Sequence, residues 1–343
     1  MQIKDERTRR IGAVMKTIGT EEHFVTDEVL AAWSRLVPSA RADSRAGAPA
    51  GEMGERLGEV GERRIVAMDE AGLDIQVLSL TSPGLHNLPV GEATRLQVET
   101  NNRIAELMQV HPDRFQGFAT LAMPAPTAAA QELERAVTKL GLNGALLFGR
   151  TGERNLDHPD NWPIFETAEA LRAPLYIHPQ IPQPRVRDAL YAGFEDAINN
   201  AFATYGIGWH YESGVQFLRL ALAGVFDRFP DLTVLLGHWG EVVLFYLDRA
   251  DGLALQARLP QPFSEYVRRN AYITAGGIYS QRYLRWAVEV VGVQRVLFAT
   301  DYPYRPGPEG GVEHFLQTAG LDPADQERIA SGNWEALVGG IRR

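Results

Sequence analysis

Thr233-Val234-Leu235-Leu236-Gly237-His238-Trp239-Gly240-Glu241 decides how this chain is read. Its first four residues form an apolar, β-rich run without polar alternation, the pattern of a strand buried on both faces. Where the run stops, an imidazole and a carboxylate appear within four positions. Seven further runs share that character: Val14–Gly19, Ile75–Leu80, Gln116–Leu121, Gly144–Phe148, Pro174–Ile177, Ala271–Thr274 and Arg295–Ala299. Helix-period segments lie between them, at Ala93–Val110, Thr127–Leu140, Pro163–Leu171, Ser213–Asp227, Val242–Leu255 and Ser280–Val291. Strand and helix in repeated alternation imply a parallel sheet, and eight such units close into an α/β fold of the (β/α)8, or TIM-type, barrel class. A doubly wound open sheet would usually place a glycine-rich phosphate turn after an early strand, and none is present.

Residues 1–13 read as a flexible charged tail and 14–343 as one barrel domain with two insertions. The first, about 35–64, contains AGAPAGEMGERLGEVGERR and is expected to be a mobile loop. The second, about 180–211, mixes Pro, Arg and aromatic residues. Both follow strand C-terminal ends, the barrel face on which active sites are built.

Composition removes several classes of function. The 343 residues include no cysteine, which excludes disulfide frameworks, thiolate metal sites and cysteine nucleophiles. A net charge of −9 argues against a nucleic-acid partner. The lysines are Lys4, Lys16 and Lys139, none at a strand C-terminal end, so Schiff-base chemistry and an organic cofactor such as pyridoxal phosphate are not expected. The charged N-terminus lacks the apolar stretch of roughly 7–15 residues of a signal peptide, and no run approaches the ~18 apolar residues of a membrane span. A cytoplasmic enzyme without a membrane partner is the expectation.

Four strand ends carry side chains that bind metals: Gly19-Thr20-Glu21-Glu22-His23-Phe24, Leu175-Tyr176-Ile177-His178-Pro179, the stretch ending His238-Trp239-Gly240-Glu241, and Phe298-Ala299-Thr300-Asp301-Tyr302-Pro303. Residues two apart in a strand point the same way, so Glu21 and His23 face the barrel axis together while Glu22 points away. With His178 and Asp301 they form a two-imidazole, two-carboxylate set suited to one divalent ion, Zn or Mn first, Mg or Fe(II) next. A lone strand-end histidine is ordinarily a packed core residue, and an aspartate after a strand is ordinarily a turn former. The coincidence of all four favours a metal site. Of the other histidines, His86 follows the second strand, and His210 ends the second insertion near the same face. His238 and Glu241 stand three apart and can touch, an arrangement that fixes an imidazole tautomer and raises its basicity.

The stretches GTEEHF (19–24), QVLSL (76–80), APLYIHP (173–179), GVFDRFPDLTVLLGHWGE (224–241), ATDYP (299–303) and SGNWEAL (331–337) resemble the amidohydrolase superfamily. Within it they resemble the metal-dependent non-oxidative decarboxylases: the γ-resorcylate, 2,3-dihydroxybenzoate, 5-carboxyvanillate and aminocarboxymuconate semialdehyde types. The resemblance runs from about Lys16 to Leu337. It implies Glu21, His23, His178 and Asp301 as metal ligands, and His238 with Glu241 beside the metal. The fourth strand reads GALLFGR, without the bridging lysine of binuclear members, which implies a single ion.

The implied reaction is loss of CO2 from an ortho-hydroxy aromatic acid chelated to the metal. Asp301 would deliver the proton to the ring carbon, and His238–Glu241 would orient nearby groups. Arg249 matches an arginine that relatives extend into a neighbouring subunit's site, which implies a homodimer or homotetramer. Phe24, Trp209 and Tyr302 are candidates to pack against the substrate ring. A metal-dependent hydrolase or hydratase, such as a lactonase for aromatic-degradation intermediates, is the second reading, and a non-catalytic binding barrel a distant third. The insertions depart from familiar decarboxylases, so the resemblance does not carry the substrate's identity.

Overall fold

The apolar runs form the staves of a closed parallel barrel in the computed structural model, which describes residues 15–44 and 51–343. The tail at 1–13, Val14, and positions 45–50 of the first insertion lie outside the described residues. The strands are β1 (Ile18–Phe24), β2 (Ile75–Leu80), β3 (Phe115–Gly117), β4 (Ala119–Thr120), β5 (Ala145–Phe148), β6 (Arg150–Thr151), β7 (Arg154–Asn155), β8 (Leu175–His178), β9 (Val234–Leu236), β10 (Ala271–Thr274) and β11 (Val296–Leu297). Their ladders run β1-β2-β3 and β4-β5-β8-β9-β10-β11, while β6 and β7 form a separate antiparallel pair.

Two seams close the circle. Only Phe118 separates β3 from β4; its N–H donates to Leu78 O (2.9 Å) and the next N–H to Gly144 O (2.8 Å), so the two pieces act as one stave. On the other side, Thr20 N–H donates to Phe298 O (3.0 Å), Asp301 N–H to Glu21 O (2.9 Å) and His23 N–H to Tyr302 O (2.7 Å). The result is eight parallel staves. Alternate strand residues divide between two cores. Ile18, Val77, Phe118, Leu146, Tyr176, Leu235 and Leu297 pack inside with Trp334, whereas Leu78, Leu147, Ile177, Leu236 and Ile273 pack outward against the helices.

The helix Gln281–Val291 shows why the outer layer forms. Ser280 caps its first turn, accepting from Tyr283 N–H, and Leu284, Ala287 and Val291 recur at helical spacing on the buried face. Burying such a leucine contributes roughly 1.5–3 kcal/mol.

Three expectations need correction. The first strand starts at Ile18 and runs through Phe24, because the polar Thr-Glu-Glu-His residues are themselves strand residues. The described part of the first insertion is helical, at Pro38–Ser44, Gly51–Gly58 and Glu62–Ala71; Leu57 anchors it in a small core with Val25, Val29 and Trp33. The segment expected to be helical from Val242 begins with a separate short turn, Leu244–Tyr246, before the helix Leu247–Ala257. Among the described residues, no helix is long and apolar enough to cross a membrane.

Candidate metal centre

A bulge in β1 builds one side of the centre. The β1–β2 register shifts between Gly19 and Glu22, which reverses the facing of the strand after Ile18. Glu21 and His23 therefore project into the barrel mouth. His178 arrives from the last position of β8 and Asp301 from the turn after β11, and ligand atoms of all four lie within 4.8 Å of one another. His178 Nε2 is 3.3 Å from Glu21 Oε1, and His23 Nε2 is 3.4 Å from Asp301 Oδ1.

Neighbouring groups fix the rotamers and tautomers. His178 Nδ1 lies 2.8 Å from the Pro179 carbonyl, which only a protonated Nδ1 can satisfy, so Nε2 presents its lone pair to the centre. His23 Nδ1 lies 3.1 Å from Ser79 Oγ on β2. The Tyr176 hydroxyl donates to Glu21 Oε2 (2.5 Å) and stands 2.9 Å from Thr274 Oγ1. Glu22 points outward and fastens the seam. It accepts from Thr300 N–H (2.8 Å), Thr300 Oγ1, Tyr302 N–H (3.3 Å) and Gln76 Nε2 (3.3 Å).

Glu21 Oε1 and His23 Nε2 are buried without a hydrogen-bond partner. Orphaned acceptors facing two further ligand atoms are the signature of a cation site, since each would otherwise lose its hydration without compensation. The electrostatics agree. Burial pushes the Glu21 carboxyl up to about 8 and that of Asp301 up to about 7, against the pull of His238 in both cases. Burial also lowers His23 to about 3 and holds His178 well below the usual imidazole range. Neutral imidazoles beside reluctantly ionised carboxylates are what a divalent cation would relieve.

A second cluster adjoins the first. Glu241 is fully buried, with Oε1 2.6 Å from His238 Nδ1 and Oε2 2.8 Å from His210 Nδ1. Burial alone would lower His238, but Glu241 and Glu21 outweigh it and hold the imidazole up to about 10. Glu241 is likewise held down to about 2, because His238 and His210 outweigh the effect of burial. His238, Trp239, Gly240, Glu241 and Val242 all have left-handed backbone, with φ from 48° to 90°, as does Asp301 at 59°. Such conformations cost roughly 1–3 kcal/mol per non-glycine residue and persist where surroundings enforce them. Trp239 Nε1 donates to Ile278 O (2.8 Å), and Gly214 lets its helix approach so closely that a Cβ there would lie 2.2 Å from Glu241 O.

Above both clusters lies a cavity of about 710 Å³, lined by His178, His210, His238 and Asp301 at its floor and by Trp209, Tyr304 and Ile181 among its walls.

A family profile described as amidohydrolase matches residues 25–340. The chain belongs to that family. It is 32% identical over 339 residues to a γ-resorcylate decarboxylase of Polaromonas sp., covering 93% of this chain and 97% of the relative. Among solved structures, 5-carboxyvanillate decarboxylase from Sphingomonas paucimobilis superposes with a TM-score of 0.84 at 34% identity, covering 95% of this chain and 99% of that one. A dihydroxybenzoic acid decarboxylase from Polaromonas sp. JS666, solved with bound manganese and the inhibitor 2-nitroresorcinol, superposes at 0.79 with 30% identity, covering 94% and 97%.

Against this amidohydrolase frame, the candidate ring-packing residues separate. Trp209 lines the cavity. Phe24 does not, because its ring is 1% exposed and lies in the outer core with Met68 and Leu78. Tyr302 turns to the opposite side, where Arg64 lies 4.7 Å over its ring, and Tyr304 takes the cavity wall instead, its hydroxyl 2.6 Å from Thr81 Oγ1. Arg249 is exposed on the helix Leu247–Ala257 and does not line this chain's cavity. His86 is buried away from the cavity, its Nε2 accepting from Phe148 N–H (3.1 Å).

Sequence reasoning missed Tyr304 and Arg305. The one available signal was alternation beyond Asp301, which the left-handed turn there disrupts. Phe148, where the fourth strand lacks lysine, stands edge-on to His178 at 5.2 Å between ring centres.

Proposed function

We propose that the chain is a metal-dependent, non-oxidative decarboxylase of an ortho-hydroxy aromatic carboxylic acid. The observation that carries this reading is the pair of orphaned acceptors, Glu21 Oε1 and His23 Nε2, converging with His178 Nε2 and Asp301. Those four residues would hold one divalent ion. Manganese or zinc is preferred to magnesium or iron(II), on the two-imidazole, two-carboxylate donor set and on the manganese in the Polaromonas structure. Bound there, the ion supplies charge stabilisation and bidentate orientation for the acid's carboxylate and neighbouring hydroxyl.

The chain's own groups do the rest. Asp301 faces the cavity, and its carboxyl is assigned as the group that holds the transferred proton. It transfers that proton to the ring carbon bearing the carboxylate, which breaks aromaticity. The carbon–carbon bond then cleaves, its electron pair returns to the ring, and CO2 departs. The imidazolium of His238, fixed by Glu241, faces the same space and stabilises negative charge as it moves onto oxygen. Trp209 and Tyr304 flank the ring and exclude water. The reading includes a cytoplasmic location and a homo-oligomer; the exposed apolar side chains Leu190, Phe194, Tyr205 and Phe245 and the exposed Arg249 support the oligomer.

The test is turnover of 2,6-dihydroxybenzoate by the Mn-loaded protein in D2O. The product should carry one deuterium at the carbon that held the carboxylate. Asp301→Asn should slow turnover by roughly 10²–10⁴-fold. Intact turnover in that variant would remove Asp301 as the acid.

A further inference from the structure

Both ring nitrogens of His210 are engaged, and neither engagement is needed for the proton transfer itself. Its Nδ1 lies 2.8 Å from Glu241 Oε2, and its Nε2 accepts from Trp209 Nε1 (3.2 Å). An indole N–H only donates, so His210 Nε2 carries no proton in this bond and the Nδ1–H is directed at the carboxylate. Glu241 therefore spends one oxygen on each of two imidazoles, Oε1 on His238 (2.6 Å) and Oε2 on His210. The two rings stand 4.5 Å apart between centres.

The way the second insertion packs gives this contact its consequence. Ile181, Tyr191 and Ala203, with Val186 and Ile207 beside them, form a small core separate from those inside and outside the barrel. The insertion ends in the helix Gly208–Leu222, of which Trp209 and His210 are the second and third residues. Trp209 is half-buried on the cavity wall, where an indole without a partner turns about two side-chain bonds. His210 removes that freedom, and the buried Glu241 in turn fixes His210. One turn further along, Gly214 seats the same helix against Glu241 O.

We propose that His210 is a positioning residue for the ring-packing wall. It transmits the orientation of Glu241 to the Trp209 indole, so that one buried carboxylate sets both the His238 imidazole at the floor and the aromatic face beside the substrate ring. The role of that face in catalysis rests on the decarboxylase reading.

Two replacements separate the bonds. An asparagine amide reaches the place of Nδ1 and keeps a donor for Glu241, but leaves nothing where Nε2 stood. A glutamine amide reaches the place of Nε2 and offers Trp209 an acceptor, but one no longer held by the carboxylate.

The test measures KM and kcat for 2,6-dihydroxybenzoate on the Mn-loaded wild type, His210→Asn, Trp209→Phe and the double variant. Fluorine NMR spectra are taken of the wild type, His210→Asn and His210→Gln carrying 5-fluorotryptophan, with the Trp209 resonance assigned by its loss in Trp209→Phe. His210→Asn should raise KM by roughly 2–10-fold, the worth of one neutral hydrogen bond, with a smaller change in kcat. In the Trp209→Phe background, which has no indole N–H to lose, it should add nothing to KM. The Trp209 resonance should shift or broaden in both His210 variants. An equal KM rise in the two backgrounds, or an unmoved resonance in His210→Asn, would overturn the proposal. An unmoved resonance in His210→Gln would overturn the link to Glu241. If the wild type does not turn over the acid, the decarboxylase reading fails, and the fluorine spectra still decide whether His210 holds Trp209.

Discussion

Replacing Arg64 by methionine should expose how the outer side of β1 supports the centre on its inner side. Arg64 is wholly buried; its Nε donates to Gln76 Oε1 (2.6 Å) and one Nη to His23 O (2.8 Å). Gln76 in turn donates to Glu22, whose carboxylate also holds the backbone on both sides of Asp301. Methionine keeps much of the volume and leaves the His23 carbonyl without this donor, at about 1–3 kcal/mol. It also leaves Glu22 without its nearest buried cation. Gln76 stands between the two groups, so the coulombic loss falls short of the about 3–5 kcal/mol of a broken direct ion pair. The expected loss is about 4 kcal/mol by urea denaturation followed by tryptophan fluorescence. Above pH 8, where Glu22, raised to about 8 by burial, is ionised, adding Glu22→Gln should return at least ~2 kcal/mol relative to additivity, because the second replacement removes the stranded charge. Additivity within ~0.5 kcal/mol would refute the relay, and Arg64 would then be a packing residue only.

Three further outcomes follow from the geometry. Tyr176→Phe removes the donor to Glu21 Oε2 without changing shape, so Mn affinity measured by competition with a chelator should fall roughly 10–100-fold while the fold persists. His86 is lowered to about 3 by burial, below its unfolded value of 6.5, so its contribution to stability is complete above pH 6.5 and is lost as pH falls towards 3. The stability difference between wild type and His86→Leu should therefore shift by about 1.4 kcal/mol per pH unit across that window, read from urea midpoints; a flat difference would contradict the assigned neutrality. Asp43→Asn should destabilise by about 2 kcal/mol, because it leaves the buried Arg150 guanidinium unpaired, and a loss under ~0.5 kcal/mol would reduce the pair to an ordinary surface contact.

The barrel was legible because parallel staves are buried on both faces, and runs such as Thr233–Leu236 and Pro174–Ile177 write that burial directly as unbroken apolar residues. The first strand was harder. Its ligand-bearing half, Thr20 to His23, is polar because it faces the centre and the seam, so composition conceals the strand where its chemistry is richest. Alternation still assigned Glu21 and His23 to one face, although the register shifts between Gly19 and Glu22. Alternation failed after Asp301, where left-handed backbone turns Tyr302 away and brings Tyr304 and Arg305 to the cavity. The first insertion was obscured differently. Its glycines and alanines carry little periodic signal, and a single buried Leu57 with Met53 beside it seats the helix. Arg249 lies beyond reach of either argument, because its proposed role belongs to a second subunit.

The most direct measurement is mass spectrometry of the products formed when Mn-loaded protein meets a mixed panel of ortho-hydroxybenzoates, catechol carboxylates and pyrone lactones. The expected result is loss of CO2 from at least one ortho-hydroxy acid, dependent on added metal and abolished in His178→Ala. Gain of water on a lactone, with no acid decarboxylated, would contradict it and make Asp301 the base of a hydrolase.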